Sequence, residues 1–117
     1  MTAGAQASQR WWHACTLSDV PADVPLHVDV GGVALAICRA DGDLYAIYDV
    51  CSHENIALSE GEIEGTTIEC WLHGSRFDLR SGQPTGLPAT QPVPVYPVMV
   101  DGAGPDAAVL VDLSAAS

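Results

Sequence analysis

Eight short runs of branched and aromatic residues, parted by glycine-bearing turns, constrain this chain more than any other feature. They are WWHACTL (11–17), LHVDV (26–30), VALAICR (33–39), LYAIYDV (44–50), TTIECW (66–71), SRFDLR (75–80), VPVYPVMV (93–100) and AAVLVDL (107–113). Such runs suit a pleated, half-buried surface. Gly31-Gly32 and Asp41-Gly42 are hairpin signals, and Gly65, Ser81-Gly82 and Asp101-Gly102 punctuate the rest. No amphipathic helix competes with them. The expectation is an all-β fold, an antiparallel sandwich or barrel. Pro94 and Pro97 cannot donate to a ladder, so 93–100 should be an edge strand or a bulged one.

At 117 residues the chain fits one domain, able to bury about two thirds of its unfolded surface without disulfides. Residues 1–9, small and polar, read as a flexible N-terminal tail, with the single domain over 10–114. No apolar run approaches the roughly 18 residues of a membrane span, and the N-terminus has no secretory pattern. A cytoplasmic, reducing setting follows as an expectation. The formal net charge is −11, with Arg10, Arg39, Arg76 and Arg80 against 15 acids. That surface repels phosphate backbones, so nucleic acid is an unsuitable partner. It either steers a basic-faced partner or serves solubility alone.

Chemistry concentrates in two stretches, CSH (51–53) and CWLH (70–73). Each follows a β-like run and reads as the tip of a hairpin-like loop, both loops projecting from one end of the sheet. Cys15, Cys38, His13 and His27 lack paired spacing and read as core or surface residues. Three readings of the paired stretches stay open. Four mixed ligands could enclose one zinc, although zinc sites usually take like pairs from each loop. A Cys–His dyad would use one pair and leave the other unexplained. A Rieske [2Fe-2S] centre, with two Cys on one iron and two His on the other, needs one of each from each of two clamping loops.

From about Trp11 to Leu113 the sequence resembles the Rieske-type ferredoxins of bacterial oxygenase systems. The resemblance rests on CSH, ALSEG (57–61), CWLHGSRFDLRSG (70–82) and GLPAT (86–90). It implies a Rieske-type sandwich or barrel with a small cluster-binding subdomain, about residues 49–90, formed by two hairpin loops. It puts Cys51 and Cys70 on one iron and His53 and His73 on the other. It places Ser75, Gly74, Trp71 and Pro88 around that [2Fe-2S] cluster, one per chain, with Pro88 in a loop packed over it. Respiratory relatives join the two loops by a disulfide; the matching positions here are Ile56 and Leu72, so that bridge is absent. High-potential relatives carry a Tyr where this chain has Phe77. The missing bridge and the lack of a membrane anchor imply a potential in the lower part of the roughly −150 to +300 mV Rieske range, whereas Ser75, a sulfur-directed donor shared with those high-potential relatives, pulls the other way.

The implied role is a one-electron carrier rather than an enzyme. It would run as a monomer from a flavin-dependent ferredoxin reductase to a terminal non-haem iron oxygenase, through transient, electrostatic encounters. The 44 residues after His73 are needed for strands and leave no room for a catalytic iron domain. A small Rieske-like subunit of a nitrite reductase, or an accessory ferredoxin of iron–sulfur assembly, are the alternatives.

Overall fold

A computed structural model describes residues 10–52, 55–72 and 74–115. The tail expected at residues 1–9 lies outside them, as do His53 and His73.

Among the described residues, ten strands form three antiparallel sheets. A body sheet is ordered β1 (Trp11–Thr16), β10 (Ala108–Asp112), β9 (Val98–Asp101). A four-stranded sheet is ordered β2 (Leu26–Val30), β3 (Val33–Ala40), β4 (Asp43–Tyr48), β8 (Val95–Tyr96). A small sheet is ordered β5 (Glu62–Glu64), β6 (Thr67–Glu69), β7 (Arg76–Asp78). The two hairpin signals join β2 to β3 and β3 to β4, with Gly31, Gly32, Asp41 and Gly42 all at positive φ. The all-β antiparallel expectation holds.

The four-stranded sheet is a wall between two cores. Successive side chains of a strand point to opposite faces, and β3 is apolar on both. Leu35 and Ile37 join Cys15, Val20, Val109 and Val111 in the body core. Ala36, Cys38 and Ala40 face the other way, toward Ile63, Ile68, Phe77 and Leu79 of the small sheet. Burial on both faces explains the unbroken apolar run VALAIC, where a one-sided strand would alternate. It also accounts for Cys15 and Cys38 as packing residues. Burial raises their thiol pKa values to about 11 and about 12, so neither forms a thiolate readily.

Residues 93–100 split at Pro97 into β8 and β9, the edge strands of two different sheets. Neither flanking proline donates, but both accept: Tyr48 N–H donates to Pro94 O at 2.9 Å and Asp112 N–H to Pro97 O at 3.1 Å. The break is where the chain changes sheets. One strand escaped the sequence reading. β5 reads Glu-Ile-Glu, and its single inward side chain, Ile63, carries too little signal.

The body is tied off at its termini. Asp112, 0% exposed, accepts from Arg10 Nε at 2.7 Å and from Ser114 N–H and Oγ–H at 3.0 and 2.6 Å. The Arg10 guanidinium also lies 5.4 Å from the Trp11 ring centroid.

Candidate metal centre

Two loops at the cluster end share one closure. Cys51 N–H donates to Ile56 O at 2.8 Å, and Cys70 N–H donates to Ser75 O at 2.7 Å. In each case a cysteine at the loop's base bonds the carbonyl five residues on. Both cysteines are buried, 3% and 1% exposed, in the same group of packed residues as Leu58, Ile68 and Phe77. The structure therefore buries in one core the two cysteines that the sequence analysis paired. The histidines paired with them, His53 and His73, belong to the same two loops in sequence but lie outside the described residues.

The loops differ in what they connect. The second is a hairpin between β6 and β7. The first carries the chain from β4 of the wall to β5 of the small sheet by way of a 3-10 turn at Leu58–Glu60. In the second, Gly74 has φ +77 and donates its N–H to Cys70 O at 2.9 Å. A Cβ there would meet nothing nearer than Glu69 Oε2 at 3.6 Å, so the requirement is conformational rather than steric.

A third segment, residues 83–94, is strapped across both loops. The Ser52 hydroxyl donates to Gln91 O at 2.5 Å, and Ala89 N–H donates to Ser75 Oγ at 3.1 Å. The strap starts from β7, with Thr85 N–H donating to Arg76 O at 2.8 Å. It ends where Val93 N–H donates to Gly82 O at 2.9 Å. Gly82 must stay a glycine, because a Cβ there would fall 1.9 Å from Val93 O. Pro88 is half-buried on this strap, next to the buried Ala89. Ser75 is 1% exposed, whereas Trp71 is 52% exposed.

The donor chemistry fits an iron–sulfur group. The two thiols sit at matched loop bases within one packed apolar core, and none of the four cysteines is in a disulfide. Ile56 packs against the core and Leu72 is 38% exposed, consistent with the missing inter-loop bridge. Two surface hollows, of about 540 and 310 Å3, are lined by neither Cys51 nor Cys70.

Sequence reasoning overlooked the support beneath the first loop. Asp49, 2% exposed, accepts at Oδ1 from Ser59 N–H at 2.6 Å. Its Oδ2 accepts from the Ser59 hydroxyl at 2.6 Å and lies 2.6 Å from His27 Nδ1. These partners are 10 and 22 residues away, beyond the reach of any local motif. The hydrogen bond to Asp49 is the main reason the His27 pKa rises above its ordinary 6.5, with Asp29 adding to it. A raised pKa means the folded state binds the proton more tightly than the unfolded chain. The resulting stabilisation is complete below about pH 6.5 and fades as pH rises through the folded value. Urea denaturation of wild type and His27→Gln between pH 5.5 and 9 should show a stability gap that narrows with pH. A gap of constant size would contradict it.

Charge around the site is one-sided. Arg76 Nη2 lies 3.3 Å from Glu64 and 3.6 Å from Glu69, and Arg80 Nε lies 3.3 Å from Asp78. Arg39 donates to Leu17 O at 2.9 Å. Arg10 is held by Asp112. With each arginine engaged, Glu60 and Glu62 stand without a described basic partner.

The Rieske [2Fe-2S] domain model matches residues 10–97. The chain is 44% identical over 91 residues to the 3-phenylpropionate/cinnamic acid dioxygenase ferredoxin subunit of Escherichia coli K12, covering 77% of this chain and 85% of that one. Among solved structures it resembles the ferredoxin of carbazole 1,9a-dioxygenase from Nocardioides aromaticivorans IC177, with TM-score 0.81 and 37% identity over 89% of this chain and 98% of that one. It also matches a chain in a complex of reduced oxygenase and oxidized ferredoxin of carbazole 1,9a-dioxygenase, with TM-score 0.79 and 35% identity over 90% and 94% of the two chains.

Proposed function

The chain belongs to the Rieske [2Fe-2S] domain family, and on that premise we propose that it is the ferredoxin component of a multicomponent dioxygenase. It carries one [2Fe-2S] cluster, which when bound takes up and releases a single electron. The observation that carries the reading is the pair of buried cysteines at identically closed loop bases within one core. Cys51 and Cys70 hold one iron as thiolates, and His53 and His73 hold the other.

The remaining residues frame that centre. The strap at 83–94 is bonded to both ligand loops and would shield a bound cluster from water on that side. Trp71, Leu72 and Leu87 are 52%, 38% and 80% exposed, forming apolar ground at the loops and strap within an acidic surface. Acids give long-range attraction to a basic partner, and the apolar ground gives short-range contact once it arrives. The terminal non-haem iron oxygenase docks there as an electron acceptor, and a flavin-dependent ferredoxin reductase docks as the donor. Both encounters are brief and weaken as salt rises. The carrier works as a monomer in the cytoplasm.

Electron paramagnetic resonance of the dithionite-reduced protein, with metal analysis, tests the reading. A Rieske-type signal and two irons per chain are expected. One zinc and no signal would overturn it.

Ser75 sets part of the potential. Its Oγ accepts from Ala89 N–H, which leaves its own proton to donate toward a ligand sulfur. Such a donor stabilises the added electron. Ser75→Ala should lower the midpoint potential and orphan the buried Ala89 N–H, at about 1–3 kcal/mol of stability. Protein-film voltammetry with thermal unfolding reads both. An unmoved potential would show that the hydroxyl serves the strap alone.

A further inference from the structure

The first ligand loop is anchored from outside itself. Asp49 lies two residues before Cys51, with its side chain 0% exposed. Its backbone N–H donates to Ala34 O on β3 at 2.9 Å. Its carboxylate then spans the loop. The Ser59 N–H and hydroxyl, both at 2.6 Å, belong to the 3-10 turn that receives the loop's exit. His27 Nδ1, also at 2.6 Å, comes from β2 across the wall. One side chain thus joins the loop's entry, its exit and the wall behind it. Ser59 follows Leu58, which is 0% exposed in the same core as both cysteines.

A simple turn cap would not need this arrangement. A buried carboxylate is costly unless donors meet it, and here three do. Charge-assisted bonds of this length are stronger than neutral ones. An amide of the same shape would lose the charge from all three bonds and make the Ser59 hydroxyl and the His27 ring accept from an NH2 instead of donating.

We propose that Asp49 is a positioning residue for the iron–sulfur centre: by fixing both feet of the first loop it sets the direction in which Cys51 presents its sulfur. The proposal rests on Cys51 being a ligand, as assigned above. Residues that orient metal ligands typically affect metal retention by about 10–100-fold when replaced.

Asp49→Asn in the holoprotein tests it against Asp112→Asn. Asp112 is the matched control, an equally buried carboxylate that also accepts from a serine N–H and hydroxyl but closes the body at the chain termini. Both variants should unfold at lower temperature. Only Asp49→Asn should shift or broaden the resonance g-values and speed iron release to a chelator by about tenfold or more. Ser59→Ala, which removes one donor and keeps the backbone bond, should change the spectrum in the same direction. It carries the test if Asp49→Asn does not accumulate folded. Wild-type spectra and release rates in these variants would overturn the proposal. A wild-type protein without two irons would instead overturn the ligand assignment itself.

Discussion

Cys70→Ser should fold and yet retain essentially no iron. The backbone closure from residue 70 to Ser75 O survives the change, since it uses only the N–H. Burying a hydroxyl at a position 1% exposed should cost about 1–3 kcal/mol, a loss that a folded domain tolerates. What disappears is the soft, readily ionised ligand; a serine hydroxyl stays protonated near neutral pH and suits iron–sulfur chemistry poorly. Cys38→Ser is the informative contrast. Cys38 is as deeply buried, at 0% exposed, but lies in mid-strand, its thiol pushed up to about 12. Placing a hydroxyl there should cost about 1–3 kcal/mol and leave the iron content at two per chain. Iron analysis and reduced-state resonance on both proteins decide the matter. Iron retained in Cys70→Ser would remove that residue from the ligand set.

Phe77→Ala should be the most destabilising single change away from the ligands. Phe77 is 0% exposed on β7, pairs across the small sheet with Ile68, and packs in the group that contains both cysteines. On its other side it bridges to Pro84, where the strap begins. Removing the ring leaves a cavity where the small sheet, wall and strap converge, and such truncations cost about 3–5 kcal/mol. At roughly 4 °C or more per kcal/mol for a domain of this size, the unfolding temperature should fall by more than about 10 °C. Calorimetry of the iron-loaded protein measures it. A fall of a degree or two would mean that the ring is not a keystone of this core.

The legible parts of the molecule were those written locally. Cys51 with His53, and Cys70 with His73, are separated by two and three positions, so the paired spacing that matches the Rieske family stands in the sequence without any fold. The wall's hairpins were equally plain, since Gly-Gly and Asp-Gly pairs demand the left-handed backbone that Gly31, Gly32, Asp41 and Gly42 adopt. Pro94 and Pro97 foretold an edge, and the structure turned one expected run into two edges. Signals failed where tertiary context outweighed local composition. Glu62 and Glu64 hide β5 because only Ile63 faces the core. His27, Asp49 and Ser59 come together from three separate elements, and each alone resembles an ordinary surface or turn residue.

The strap carries a kinetic consequence. Through Ser52 and Gln91 it grips one ligand loop, and through Ala89 and Ser75 the other, so the two loops cannot part or slide independently. A site held from both sides in this way has few polar groups left to move when its charge changes. Polar groups fixed in advance need little rearrangement when charge appears. Braced in this way, a bound cluster would need little nuclear motion before each transfer, which favours electron exchange at small driving force.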